Sequence, residues 1–265
     1  MNVTKKPIVS VVMPSYNHAR FIGDAVRSVL SQTFRDFELI IVDNHSGDGT
    51  DAVLGDFSDA RLRILKFHNH GIIAASRNHG LRNSSGKFVA FIDSDDVWLP
   101  AKLEAQVASM ENAPEAVLSY SRFRLLEESG EGNTVLPRNG RYFSGTVFRQ
   151  LYLTPFVACS GVLARREAVN DAGGFSERPE LLAVEDMDLW LRLSLRGGVI
   201  CASEEPLFLY RVHSSNASGN LAGTIKRTFA LARKFYEQAG PALFLRKMAR
   251  SITSILYKRV FGAGN

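Results

Sequence analysis

Apolar positions in the first hundred residues switch repeatedly between two spacings. Ile8 to Met13 is a short run rich in β-branched residues that ends at Pro14, and such a run without polar alternation predicts a strand buried on both faces. Phe21, Ile22, Ala25, Val26, Val29 and Leu30 follow at three- and four-residue spacing, which predicts a helix beginning at Asn17 or His18. Strands are predicted over Glu38 to Val42, Arg61 to Phe67 and Phe88 to Ile92, and helices from Asp48 to Thr50 onward and over Ile72 to Leu81. Pro100 suits the first position of a helix running to Met110, because its fixed φ matches a helical start and its missing N–H costs nothing there.

Farther along, Ala116 to Phe123 reads as a strand, Glu127 to Thr134 as a polar turn, Gly145 to Leu153 as a helix and Ser160 to Ala164 as a short apolar segment. A helix starts at Arg165 and stops at Gly173-Gly174, and a stronger one covers Asp186 to Arg196. Val199 to Ala202 and Leu207 to Val212 are predicted as two late strands, and residues past Asn220 as helix with a break at Gly240-Pro241. Alternating strand and helix predicts an α/β fold whose mostly parallel central sheet is flanked by helices. Ligands of such sheets bind beyond the carboxyl ends of the strands, so the polar residues after each strand are the candidates for chemistry.

Composition adds limits. The 265 residues, 45% of them hydrophobic, support one large domain plus a tail. No run of 18 apolar residues occurs, so no transmembrane helix is expected. The N-terminal apolar run is too short for a signal peptide, and a cytoplasmic location is the expectation. Cys159 and Cys201 are the only cysteines and read as free thiols. The charge is divided: residues 221–265 hold nine Lys or Arg against Glu237, 9 − 1 = +8, so the total of +5 leaves +5 − 8 = −3 for the rest. The expected division is therefore a domain over 1–219 and a basic amphipathic helical tail over 220–265.

Three strand ends carry candidate chemistry. The first reads Pro14-Ser15-Tyr16-Asn17, which also suits a plain turn with a helix cap. The second reads Asp43-Asn44-His45-Ser46-Gly47-Asp48-Gly49-Thr50, where Asp can accept from a base or ribose but also simply forms loops. The fourth, Asp93-Ser94-Asp95-Asp96, is the sharpest. Three carboxylates in four residues repel one another unless a cation or donors compensate, and hard oxygen ligands suit Mg²⁺ or Mn²⁺. The alternative is a solvated acidic turn capping the next helix.

Taken in order, Val9-Ser10-Val11-Val12-Met13-Pro14-Ser15-Tyr16-Asn17, Ser28-Val29-Leu30-Ser31-Gln32-Thr33, Glu38-Leu39-Ile40-Ile41-Val42-Asp43, Ala74-Ala75-Ser76-Arg77-Asn78-His79-Gly80 and Phe91-Ile92-Asp93-Ser94-Asp95-Asp96 resemble the family 2 glycosyltransferases. The resemblance spans roughly residues 8 to 215 and implies the fold called GT-A. It departs at Asp43-Asn44-His45-Ser46, where the family usually has Asp-Asp-Ser or Asp-Gly-Ser. It implies that Asp43 contacts the base, that Pro14, Ser15 and Asn17 line the base and ribose pocket, and that Arg77 and Asn78 lie near the nucleotide. It further implies that Asp93 reaches the ribose or donor sugar, that Asp95 binds a divalent metal, and that Ser94 and Asp96 belong to the donor side.

The same resemblance makes Asp186, the second acid of Glu185-Asp186, the base for an inverting transfer. Unaided, the pair reads equally as an acidic helix start favoured by the dipole, and the helix N-terminus is expected to lower the pKa of Asp186 and keep it ionised. Asp188, two residues on, is expected to point elsewhere. Ser160, Gly161 and Glu185 fall in the family's acceptor-side region, where Gly161 offers close approach to the backbone and a plain strand-turn reading is equally good. In Tyr210-Arg211-Val212-His213-Ser214-Ser215-Asn216-Ala217-Ser218, the resemblance gives His213 to the metal or diphosphate; Arg211 is a fork donor for phosphate or a surface residue.

In the tail, Leu245, Met248, Ile252, Ile255 and Leu256 make an apolar stripe with Arg246, Lys247, Arg250, Lys258 and Arg259 around it. This is either a helix packed on the domain or an interfacial helix on the anionic inner face of a cell membrane; no nucleic-acid motif accompanies the charge. The expectation is thus an inverting, metal-dependent transferase moving a sugar from a nucleotide-diphosphate donor, a UDP-sugar by resemblance. Its acceptor is a hydroxyl of a saccharide or lipid-linked oligosaccharide, in surface polysaccharide synthesis of the bacterial type. The rivals are a non-catalytic nucleotide-sugar binder and a nucleotidyltransferase, the latter disfavoured because a Gly-rich phosphate loop does not follow the first strand.

Overall fold

The computed structural model describes residues 6–128, 130–138, 142–213 and 221–261. The first half alternates as its pattern predicts: β1 (Val9–Ser15), α1 (Ala19–Leu30), β2 (Phe37–Asp43), α2 (Thr50–Gly55), β3 (Leu62–Lys66), α3 (Ile73–Arg82) and β4 (Phe88–Phe91). Then come β5 (Val97–Trp98), α4 (Lys102–Glu111), β6 (Ala116–Glu127), β7 (Gly130–Leu136), α5 (Phe148–Leu153), β8 (Val162–Arg165) and α6 (Arg166–Asp171). The chain closes with α7 (Glu185–Ser194), β9 (Gly198–Arg211), α8 (Leu221–Lys234) and α9 (Tyr236–Phe261).

All described strands join one sheet in the order β3-β2-β1-β4-β8-β6-β9-β5, with β7 on the outer part of β6. The β3-β2-β1-β4 half is parallel, as are β6 and β9, while β8 runs antiparallel to both β4 and β6. Side chains alternate through the central strands: Val9, Val11 and Met13 of β1 face a core with Ile22 and Val26 of α1 and Leu103 of α4, whereas Val12 faces the opposite core. That second core gathers Phe91, Phe175, Trp190 and the inner residues Leu231, Ala232 and Phe235. Burial on both faces explains why these strands read as continuous apolar runs.

Four boundaries differ from the sequence pattern, each for a tertiary reason. The expected polar turn of Glu127 to Thr134 narrows to a hairpin, because β7 pairs back on β6 from Gly130. The two late strands form one, β9, with register shifts against β6 between Tyr120 and Phe123 that absorb the polar stretch between them. Helix α5 starts at Phe148, later than expected, since Gly145 bridges Val199 of β9. Helix α4 starts at Lys102 while the Pro100 carbonyl accepts the Thr33 amide at 2.9 Å. The break at Gly240-Pro241 is present: Gly240 has φ 76° within α9. Among the described residues no helix is long and apolar enough to cross a membrane.

Candidate active site at the carboxyl ends of the parallel strands

Strands β1, β2 and β4 end side by side, in register at Ser15 and Asp43, and this brings the three polar loops together. Asp43 is fully buried and its carboxylate accepts three hydrogen bonds: Lys66 Nζ donates to Oδ2 at 2.8 Å, the Ser46 amide to Oδ2 at 3.0 Å and the Ser46 hydroxyl to Oδ1 at 2.5 Å. Burial raises its pKa, but the Lys66 and Ser46 hydrogen bonds outweigh that and hold it below the usual carboxylate value. Asn17 ties this loop to the first, its amide donating to Ser46 Oγ at 2.8 Å and its Oδ1 accepting from Gly47 at 2.9 Å. Asp48 accepts the Ala19 amide at 2.9 Å, closing the start of α1. Pro14 lies buried within β1, and the buried Ser15 Oγ has no hydrogen-bond partner among the described residues.

The Asp93 to Asp96 segment splits into two centres. Arg77, buried on α3, donates from Nη2 to Asp93 at 2.7 Å and from Nη1 to Glu185 at 2.7 Å, so one guanidinium joins the end of β4 to the start of α7. On the other side, His213 Nε2 lies 2.8 Å from Asp95 Oδ2, and Arg211 donates from Nε to the Asp95 carbonyl at 2.7 Å and from its amide to Asp96 Oδ1 at 2.9 Å. His213 stacks on Phe21 at 4.8 Å, and Ser94 Oγ is 2.7 Å from His18 Nδ1. Asp96 is buried with Oδ2 unpartnered. Its burial, followed by the charges of Asp95 and Asp93, pushes its pKa well up, against the opposing pull of the Ser160 hydroxyl and the Arg211 amide.

Asp186 occupies the first turn of α7 next to the Arg77 bridge. Loss of hydration, then the neighbouring Glu185 charge, pushes its pKa up to about 7, while Arg77 and the Met187 amide act in the opposite direction. This corrects the expectation that the helix N-terminus lowers it: the dipole adds a fraction of a charge, whereas burial beside two other acids acts at full strength. The residue itself is half-buried. The turn into α7 carries Ala183 at φ 62°, a left-handed conformation with no glycine to ease it. Asn17, His45 and His70, the other non-glycine residues at positive φ among the described residues, also lie in the loops after β1, β2 and β3.

Three predicted site residues are engaged by the protein itself. Asn78 is bound on all sides, donating to the Phe175 carbonyl at 2.9 Å and Glu177 at 2.7 Å and accepting the Phe175 amide at 2.9 Å. Ser160 Oγ accepts the Asp93 amide at 3.0 Å and so fixes the acidic turn. Gly161 is tight against protein: a Cβ there would meet Phe208 at 2.8 Å and the Ser121 carbonyl at 3.2 Å, so the space expected for an acceptor belongs to the core. Asp188 is buried in an ion pair with Arg192 at 2.7 Å. Ser214 to Ser218 lie outside the described residues. The ring cluster that His68 and His70 form with His45 is not legible in local sequence; Lys66 becomes visible only through the register that sets it opposite Asp43.

The donor set fits a divalent cation of the Mg²⁺ or Mn²⁺ type. Among the described residues no three His, Cys, Asp or Glu side chains converge as a ready cage. Mg²⁺ is commonly held by one or two carboxylates with water and substrate phosphates filling the remaining positions, and the Asp95 carboxylate, with His213 Nε2 at 2.8 Å from its Oδ2, is a donor of that kind.

Residues 10–173 match the family described as Glycosyl transferase family 2. The chain is 31% identical over 231 residues to the putative teichuronic acid biosynthesis glycosyltransferase TuaG of Bacillus subtilis (strain 168), covering 86% of this chain and 88% of that one. It is 30% identical over 238 residues to the UDP-Glc:alpha-D-GlcNAc-diphosphoundecaprenol beta-1,3-glucosyltransferase WfgD of Escherichia coli, covering 87% of each. Its fold superposes on the crystal structure of S. aureus TarS 1-349 in complex with UDP-GlcNAc with a TM-score of 0.71, at 20% identity, covering 97% of this chain and 75% of that one. The fold and the site thus define a glycosyltransferase of the GT-A type. The chain belongs to glycosyl transferase family 2.

Proposed function

We propose that this enzyme transfers a sugar with inversion from a UDP-sugar to a hydroxyl of a lipid-linked saccharide in bacterial surface-polymer synthesis. The observation that carries the reading is the Arg77 bridge, which couples the donor-side Asp93 to the Glu185-Asp186 pair at 2.7 Å on each arm. In this reading Asp186 Oδ takes the proton from the acceptor hydroxyl as that oxygen attacks the anomeric carbon, and the bond from that carbon to the diphosphate oxygen breaks. With a pKa of about 7, Asp186 is matched to accept that proton near neutral pH. Arg77 keeps the three neighbouring acids from repelling one another. Asp95, with His213 bound to it, would hold a divalent cation, which would supply Lewis-acid stabilisation of the departing diphosphate. Asp43, Asn17 and the unpartnered Ser15 hydroxyl form the nucleoside end.

The names of two relatives support a surface-polymer role, and one of them supports a UDP-sugar and a diphosphoundecaprenol acceptor. Work at a lipid surface agrees with the outer face of α8 and α9, where Ile225, Phe229, Tyr236 and Leu245 are exposed among Lys226, Arg227, Arg233 and Arg246. An apolar face rimmed by cations suits the headgroup region of an anionic membrane. The side chains of Ile252, Ile255, Leu256, Lys258 and Arg259 lie outside the described residues. The test is nucleoside diphosphate release across a panel of nucleotide sugars with Mn²⁺, Mg²⁺ or EDTA. Sugar-dependent release that EDTA abolishes is the expected result. Metal-independent turnover removes the cation from the reading, and absence of both turnover and nucleotide-sugar binding refutes it.

A further inference from the structure

Asp188 stands two residues beyond Asp186 on α7 and is fully buried. Two cations meet it. Arg192 donates to Oδ2 from Nε at 2.9 Å and from Nη2 at 2.7 Å, and Lys234 Nζ donates to Oδ1 at 2.5 Å. Arg192 belongs to the same helix and also holds the carbonyls of Ala172 and Gly174. Lys234 comes from far along the chain, as the last residue of α8. It is held there by packing: Leu231, Ala232 and Phe235 sit in the core, and the Tyr152 hydroxyl donates to the Ala232 carbonyl at 2.9 Å.

The first turn of α7 carries three acids, Glu185, Asp186 and Asp188. Asp186 is faced by Glu185 on its own helix, by Arg77 from α3, by Asp93 after β4 and by the buried thiol of Cys159. Asp188 is faced by Arg192 and Lys234. Arg192 alone saturates only one oxygen of Asp188, so without Lys234 the other would remain a buried, uncompensated charge on the same turn as Asp186. We propose that Lys234 of the C-terminal helix is a positioning residue for the reaction: by neutralising Asp188 it fixes the first turn of α7 and sets the charge environment of Asp186. The segment after residue 220 is then part of the catalytic unit and not only an attachment. This inference rests on the reading of Asp186 as the base.

The test reads Asp186 directly, without turnover. The full chain is labelled at the aspartate carboxyl carbons and titrated by NMR, with the Asp186 signal identified by its loss in Asp186→Asn. Lys234→Met leaves Asp188 less compensated, so the Asp186 midpoint moves up; Asp188→Asn removes a negative charge, so it moves down. Each shift is expected at about 0.5 pH or more, from charges at second-neighbour distance in a partly buried site. The double variant returns close to wild type, Lys234→Arg keeps the wild-type midpoint, and Lys234→Met lowers kcat at pH 7 with the donor KM unchanged. Folded single variants with an unmoved midpoint overturn the proposal. Should Lys234→Met fail to fold, Asp188→Asn decides alone in the same way. Retained turnover in Asp186→Asn would instead refute the base, leaving the titration result standing by itself.

Discussion

At the scale of single residues, Asp186 is governed by its neighbours more than by its helix. Burial and Glu185 push its pKa up to about 7 while Arg77 pulls it down, so the carboxyl titrates in the range where a base is useful. The base works only when deprotonated, and its deprotonated fraction grows with pH; kcat should therefore rise tenfold per pH unit below about 7 and level off above it. Asp186→Asn should lower kcat by about 10³-fold while donor affinity, measured by calorimetry, stays within about twofold. Donor binding lost in parallel with turnover would place the residue in the binding site instead. The acid pair itself was visible in the sequence, but the sign of the shift was not, because the burial that dominates it exists only once α7 has packed against the rest of the fold.

At the scale of elements, the critical joint is between β4 and α7, and Arg77 is its pin. Both arms of its guanidinium are used, at 2.7 Å to Asp93 and 2.7 Å to Glu185, and the residue is 4% exposed. A lysine has one ammonium and lacks the planar fork, so Arg77→Lys leaves one buried acid underpaired. The expected cost is about 3 kcal/mol in urea unfolding, with kcat falling more than about 100-fold because α7 loses its alignment to the acidic turn. Wild-type kcat in a variant that melts early would show that the pin serves stability alone. Element types were largely legible from spacing; the joins were not. Gly145 closing on Val199, and β7 folding back on β6, depend on edges that exist only once the sheet has formed.

At the scale of the whole molecule, one buried cation ties stability to pH. Lys102 lies at 0% exposure under Trp98, its amine 4.0 Å from the ring centroid and 2.5 Å from Gln106 Oε1. Burial holds its pKa well below 10.5 in the folded state. The unfolded chain therefore binds more protons below pH 10.5, and stability rises with pH through the window from the folded value up to 10.5. Lys102→Met should raise the melting temperature at pH 7 by a few degrees, on the order of 1 kcal/mol, and the gain should shrink as the pH approaches 10. A gain that is constant with pH would assign it to packing alone.

The sequence by itself determined the alternation of strand and helix, the polar segments at the ends of β1, β2 and β4, the acid pair at the start of α7 and the break at Gly240, because each is written in contiguous residues whose spacing or chemistry is local. Tertiary structure decided the rest. It tied Asn78 to Phe175, set Ser160 under the Asp93 amide, closed Phe208 on Gly161, brought Lys66 onto Asp43, and drew Lys234 across to Asp188. Those outcomes depend on pairs far apart in the chain, and a carboxylate's charge and a glycine's free space are set by whatever the fold packs beside them.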